Sequence, residues 1–260
     1  MSNFPRVGVV GSGQLAQMML APAAALGIDL ITLANSATDS AAQSSPHVVG
    51  DFRDLETVRN FAKNCDLVTF EHELIPISIV RTLEAEGFKF LPTTNAFQYS
   101  QDKALMREKL AHLPNPKWQL VTQAIDWNYP AIAKAISGGY DGRGVWKIEN
   151  SSELEKLLKE VPKLILEELI DFDFEISVMV ARSPHGQAAT WAPTLTVQRD
   201  GICVETITPV PDFSDAQSEV AQNLALKIAD EIGLVGVMAV EMFVKGNELF
   251  INELALRPHN

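Results

Sequence analysis

Four glycines fall within seven positions at Gly138-Gly139-Tyr140-Asp141-Gly142-Arg143-Gly144, between two apolar runs, Tyr129–Lys134 and Val145–Ile148. Both runs read as strands, so the glycine stretch joins one strand to another. Lacking Cβ atoms, its backbone can approach a ligand closely, and successive N–H groups in such a loop form an anion-binding concavity. Lys134 before the loop and Arg143 within it supply positive charge suited to phosphate. A plain glycine-rich hairpin is the alternative reading, and the loop by itself does not separate the two.

With 260 residues, 47% of them hydrophobic, the chain has apolar content for two or three compact units. A net charge of −12 argues against a nucleic-acid partner. An anionic ligand would need a local pocket that gathers the few cations. Cys65 and Cys203 stand far apart and offer neither metal spacing nor a disulfide framework. There is no basic segment followed by an apolar one at the N-terminus, and the apolar runs near Leu15–Leu26 and Leu234–Val244 are too short to span a bilayer. The expectation is a cytoplasmic protein without a membrane partner.

Arg6–Val10 reads as a buried strand, Leu15–Leu26 as a helix, Ile28–Leu33 as a strand, Val48-Val49 as a short strand, Asp54–Lys63 as a helix and Leu67–Phe70 as a strand. Alternation of this kind predicts a parallel, Rossmann-like α/β unit. The turn after the first strand, Gly11-Ser12-Gly13-Gln14-Leu15-Ala16, fits a dinucleotide fingerprint. The second strand, however, ends Leu33-Ala34-Asn35, without the carboxylate that would hold a ribose, which argues against a nicotinamide site. Glu71 and Glu73, after the fourth strand, would share the carboxyl rim of the sheet with Gln14. Thr94–Leu113 reads as one helix, and Pro114-Asn115-Pro116 as a linker.

The second half begins with a small sheet carrying the glycine loop, resembling a lid, with a Ser-capped helix over Ser151–Glu160 and a strand from Lys163 to Glu167. The last part is antiparallel in pattern: strands at Phe174–Ala181, Ala188–Val197 and Ile202–Ile207, then a helix from Ser214 to Ile232 ending before Gly233. Two closing strands, Val235–Val244 and Glu248–Leu254, are joined at Lys245-Gly246-Asn247. Each holds a carboxylate in an apolar run, Glu241 and Glu253, and the hairpin lets both face one side. Paired carboxylates repel unless a cation neutralises them, and Mg²⁺ is a hard cation bound by one or two carboxylates plus substrate phosphates. Two glutamates pointing to water is the alternative. The organisation expected is 1–95 Rossmann-like, 96–168 helix and lid, and 169–260 antiparallel.

Taken together, the glycine loop, the carboxylate hairpin and the Rossmann-like first unit resemble the ATP-grasp ligases. The match is closest to the 5-(carboxyamino)imidazole ribonucleotide synthase family. The residues carrying it are Gly11–Leu15, Thr69–Glu73, Gln101-Asp102-Lys103, Gly138–Gly144, Glu175–Val178 and Asn252-Glu253 followed by Leu254-Ala255-Leu256-Arg257-Pro258-His259-Asn260. The resemblance implies an ATP-grasp fold behind a pre-ATP-grasp domain. It implies ATP, Mg²⁺ (or Mn²⁺ in its place), bicarbonate and 5-aminoimidazole ribonucleotide as reactants, and a homodimer. By matching position, Lys103 and Lys134 would hold ATP phosphates under the backbone of Gly139, Tyr140, Asp141, Gly142, Arg143, Gly144 and Val145. Glu167, Glu168, Leu169 and Ile170 would line the adenine hinge, and Glu175 would hold the ribose. Glu241 and Glu253 would carry the metal, with Asn252 beside them. Gln14, Glu71, Glu73, His259 and Asn260 would face the ribonucleotide, and Tyr140, Asp141, Arg143 and Arg257 the carboxylation itself.

Gln198 stands where many members of that family place a histidine near ATP. Members also run on for roughly another domain, so the expectation is a shortened chain without the family's C-terminal domain. A formate-dependent glycinamide ribonucleotide transformylase shares the grasp but lacks the Gly-Gly-Tyr-Asp-Gly loop. A nucleotide-binding module without full turnover is a further alternative.

Overall fold

The computed structural model describes residues 4–138, 143–199 and 201–259. Strand β1 (Arg6–Val10), helix α1 (Gln14–Ala25), β2 (Asp29–Ala34), β3 (His47–Val49), α2 (Leu55–Ala62) and β4 (Leu67–Phe70) build the first unit. Its four strands lie in the order β3-β2-β1-β4, all parallel. The expected α/β unit is therefore present, with its loops gathered at the strands' carboxyl ends. Helix α3 (Ile77–Ala85), buried through Ile79, Val80 and Leu83, is an addition to the sequence reading.

The single helix expected over Thr94–Leu113 is two, α4 (Thr94–Gln101) and α5 (Lys103–Lys109). Asp102 divides them. Its backbone is extended (φ −124°, ψ 102°), and its carboxylate accepts from the Leu105 N–H at 2.8 Å, capping α5. The break sets Lys103 at the very start of α5.

Four antiparallel strands follow, β5 (Trp118–Val121), β6 (Ala131–Ala135), β7 (Val145–Ile148) and β8 (Leu164–Glu168), in the order β5-β8-β6-β7. The glycine loop closes the β6–β7 hairpin. Helix α6 (Ser151–Glu160) is capped by Asn150, not by a serine: Asn150 Oδ1 accepts from the Glu153 N–H at 3.1 Å.

The last sheet contains β9 (Phe174–Arg182), β10 (Ala188–Thr190), β11 (Thr194–Arg199), β12 (Ile202–Ile207), β13 (Gly236–Lys245) and β14 (Glu248–Ala255), with α7 (Asp215–Glu231) packed on it. The strand expected over Ala188–Val197 is split into β10 and β11, both paired with β9. Pro193 lies in the gap and has no N–H for a ladder. Ser214 caps α7 through a capping box with Gln217.

One apolar core joins the first unit to the last sheet, running from Phe70, Phe97 and Leu110 to Ile176, Val240 and Leu256. The small sheet has its own core around Leu154, Leu158 and Leu166. The strands on either side of the glycine loop therefore belong to a separately packed body. No helix among the described residues is long and apolar enough to cross a membrane.

Candidate active site

An open cleft of about 1200 Å³ is lined by all three sheets. Its floor is the β13–β14 hairpin. Glu241 and Glu253 stand directly opposite each other in the register, so their side chains leave the same face. The register then shifts, because β14 carries one extra residue, Asn252. A bulge re-aims side chains, and it explains how the sequence neighbours Asn252 and Glu253 both line the cleft.

Each floor group already has a partner. Lys103 donates to Glu253, and Lys134 Nζ on β6 donates to Asn252 Oδ1 at 2.9 Å. His259 Nε2 lies 3.0 Å from Glu241 Oε1, and its Nδ1 lies 3.5 Å from Ser177 Oγ. Burial alone would push Glu253 up, but Lys103, Lys134 and Arg257 outweigh it and hold the carboxyl below its ordinary value. Burial likewise opposes the charge on Lys103, and Glu253 with Glu241 overcomes it, holding the ammonium above its ordinary value.

Glu175 lies further along β9. Burial, then repulsion from Glu241 and Glu253, push it up to about 7 against the attraction of Lys134. Because this lies above the ordinary value of 4.5, ionising Glu175 opposes folding. The penalty is absent below about pH 4.5 and complete above about pH 7. Glu175→Gln is therefore expected to raise the thermal midpoint more at pH 8 than at pH 5.5 in paired melting curves. Equal shifts at the two pH values would refute the assignment.

Lys134 is buried, and so is the carboxylate that holds it, Glu167, at 2.8 Å. Glu167 also accepts from Arg107 Nε at 2.6 Å. Burial would raise Glu167, but Lys134 and Arg107 together bring it down to about 2. Lys134 is pulled below its ordinary value by burial, opposed by Glu167 and reinforced by Arg107 and Lys103. Glu167 keeps its charge all the same, because a guanidinium is protonated at any working pH. The sequence reading placed Glu167 on the hinge and gave its side chain no task; here that side chain fixes Lys134. Arg107 was not among the expected site residues.

Glu168, Leu169 and Ile170 line the cleft together with Phe172 and Phe243, whose rings stack at 4.6 Å and 14°. Gln198 is exposed and also lines the cleft.

The opposite rim comes from the first sheet. Glu71 is buried, and its carboxylate accepts from the N–H groups of Gly13 (2.6 Å), Leu15 (3.1 Å) and Ala16 (3.4 Å). It thus occupies the anion position at the α1 N-terminus, where a dinucleotide's pyrophosphate would otherwise sit. A Cβ on Gly13 would lie 2.6 Å from Glu71 Oε1, and one on Gly11, at φ +107°, 2.6 Å from Glu71 Oε2. The two glycines are therefore explained by the carboxylate folded over them. Gln14 is exposed into the cleft. Glu73 accepts from Arg257 Nε at 2.9 Å through one oxygen, while its buried Oε1 has no hydrogen-bond partner among the described residues.

Of the glycine loop, Gly138, Arg143 and Val145 line the cleft. Gly144, at φ 74°, closes the hairpin by accepting from the Ala135 N–H at 2.8 Å. Gly139, Tyr140, Asp141, Gly142 and Asn260 lie outside the described residues.

Two family models match the chain: a ribonucleotide synthetase preATP-grasp domain over residues 4–101 and an ATP-grasp domain over residues 108–260. The N5-carboxyaminoimidazole ribonucleotide synthase of Mycobacterium bovis is 41% identical over 271 residues, covering 98% of this chain and 63% of that protein. The protein of the same name from Synechococcus elongatus is 32% identical, covering 100% of this chain and 68% of that protein. A crystal structure of N5-carboxyaminoimidazole synthase from Aspergillus clavatus, in complex with ADP and 5-aminoimidazole ribonucleotide, matches with a TM-score of 0.86 at 27% identity, over 100% of this chain and 72% of that one. This chain thus spans less than two-thirds of the length of the mycobacterial relative.

Proposed function

The chain belongs to the ATP-grasp proteins and, within them, to the N5-carboxyaminoimidazole ribonucleotide synthase family, and on that premise we propose that its cleft carries out the ATP- and bicarbonate-dependent carboxylation of 5-aminoimidazole ribonucleotide. This would be a step of de novo purine (IMP) biosynthesis in the cytoplasm. The observation that carries the reading is two adjacent pairs of side chains on the cleft floor, Lys103 with Glu253 and Lys134 with Asn252, brought together from α5, β6 and β14.

In the proposed reaction a bicarbonate oxygen forms a bond to the γ-phosphorus as the bond to the β-phosphate oxygen breaks, giving carboxyphosphate and ADP. The exocyclic amine of the ribonucleotide then bonds to the carboxyl carbon, phosphate leaves, and the amine gives up a proton. Transfer of this kind depends on positioning and charge neutralisation. Lys103 and Lys134 would hold the β- and γ-phosphates, Lys103 by exchanging its present carboxylate partner for phosphate oxygens and Lys134 through the N–H that Glu167 and Asn252 leave open. Glu168 to Ile170, with the Phe172–Phe243 pair, would take the adenine, and Glu175 the ribose. Across the cleft, Gln14, Glu73, Arg257, His259 and Asn260 would hold the ribonucleotide. Asp141 would orient its amine and Arg143 would stabilise carboxyphosphate, while the loop keeps water from that labile species.

Glu241 and Glu253 fit Mg²⁺, or Mn²⁺ in its place: both offer hard oxygen donors on directly opposed strand positions. No cluster of three or more His, Cys, Asp or Glu side chains suited to a metal occurs among the described residues, so phosphate oxygens would have to complete the shell, as they commonly do for Mg²⁺. Once bound, the ion supplies charge neutralisation at the transferred phosphoryl group.

The test is ADP release by this chain and by a version extended past Asn260. Release dependent on both bicarbonate and 5-aminoimidazole ribonucleotide supports the synthase. Turnover only in the longer chain would assign this stretch the nucleotide site and the added residues the remaining substrate contacts. Dependence on formate, or on neither substrate, would overturn the reading.

A further inference from the structure

Arg107 has no place in the chemistry above, yet it is wholly buried. Its Nε donates to Glu167 Oε1 at 2.6 Å, Nη1 to Asn115 Oδ1 at 2.9 Å and to the Ile251 carbonyl at 2.8 Å, and Nη2 to the Asn252 carbonyl at 2.9 Å. Those acceptors come from β8, the linker and the β14 bulge. Two of them are also what hold Lys134: Glu167 at 2.8 Å through its other oxygen, and Asn252 at 2.9 Å through its side chain. The bonds form a closed ring: Arg107 to Glu167, Glu167 to Lys134, Lys134 to the Asn252 side chain, and the Asn252 carbonyl back to Arg107.

We propose that Arg107 is a positioning residue for Lys134, fixing both of its partners so that the ammonium faces the phosphates of a nucleoside triphosphate. The inference rests on the nucleotide reading of the cleft. Lys134 has three N–H donors. Glu167 and Asn252 take two of them and hold the nitrogen in place, leaving the third for a phosphate oxygen. If Glu167 could rotate, or if the bulge could flatten, Lys134 would follow its carboxylate away from the floor. Arg107 prevents both movements with one rigid group. A planar guanidinium with forked donors can bond a carboxylate and two carbonyls together, whereas a lysine at this position is a point charge on a flexible stem and cannot. Lys103, four residues earlier on the same helix, has its own partner in Glu253, so it lies outside the ring and serves as an internal control.

Arg107→Met and the milder Arg107→Lys are tested by two readouts. The first is calorimetric titration with ATP and with AMP. Loss of a charge-assisted contact at the outer phosphates is expected to weaken ATP binding about 10- to 100-fold, with AMP nearly unaffected. Arg107→Lys is expected to show the same selectivity without rescue. The second readout needs no nucleotide: reductive methylation followed by mass spectrometry, in which Lys134 is expected to label faster in the variants while Lys103 keeps its wild-type rate. Equal losses of ATP and AMP affinity, joint acceleration of Lys103 and Lys134, or unchanged Lys134 labelling in either folded variant would overturn the proposal. Failure of the wild-type chain to bind ATP would instead overturn the nucleotide reading, and the labelling would still decide whether Arg107 positions Lys134.

Discussion

Glu167→Ala is expected to cost about 3–5 kcal/mol of stability, because it leaves two buried cations, Arg107 and Lys134, without their shared carboxylate. Glu167→Gln should cost less, since an amide retains the shape and one acceptor oxygen while losing the charge. The pH dependence identifies the cause. With a folded pKa of about 2 against an ordinary 4.5, the ionised carboxylate favours the folded state. That stabilisation is complete above about pH 4.5 and is lost as the pH falls toward 2. It amounts to roughly 3 kcal/mol. Urea unfolding of wild type and Glu167→Gln should therefore converge between pH 4.5 and pH 2.5. A gap that stayed constant over that range would show that packing, and not charge, is what Glu167 supplies. The small sheet has its own core, so loss of hydrogen-exchange protection should begin in β6 and β8, the strands that carry Lys134 and Glu167.

The carboxylates of the cleft floor and the ring around Arg107 were unequally legible in the sequence. Glu241 and Glu253 could be placed on one face because strand side chains alternate and a short turn at Lys245-Gly246-Asn247 fixes the pairing. The bulge that brings Asn252 onto the same face could not be read, since it depends on how β14 pairs with β13 and not on either strand alone. Arg107 was visible only as one of several charges on an amphipathic helix, and helical spacing does not tell a solvated arginine from a buried one. What buries it are acceptors 60, 144 and 145 residues further along the chain. The first unit is the reverse case. Its strand and helix alternation and its Gly11-Ser12-Gly13 turn gave the parallel sheet directly, because those signals are local. The purpose of the two glycines was not local: they make room for Glu71, which arrives from β4. The Asp102 break lay inside an otherwise continuous helical pattern, and a periodic pattern carries no mark of where one helix stops and the next begins.

Glu253→Gln is expected to reduce ADP release by about 10²–10³-fold at saturating ATP, the scale of losing one preorganised charge at a phosphoryl-transfer centre. On the proposed reading Glu253 would serve two partners in turn. Without ligand it holds Lys103, whose ammonium would otherwise be a buried cation on the cleft floor. With nucleotide present, Lys103 would turn to phosphate and free the carboxylate for the divalent ion shared with Glu241. The amide can accept one hydrogen bond from Lys103, so folding should survive, but it cannot neutralise either cation. The Mg²⁺ concentration giving half-maximal rate should therefore rise, and the thermal stabilisation produced by Mg²⁺ with ATP should shrink, while the protein without ligand stays folded. Glu241→Gln should also raise the Mg²⁺ requirement while leaving Lys103 paired, since its own partner is His259. The comparison between the two glutamines thus separates loss of the ion from loss of the lysine's resting place. Glu253→Gln with a rate within about fivefold of wild type at every Mg²⁺ concentration would remove this carboxylate from the proposed chemistry.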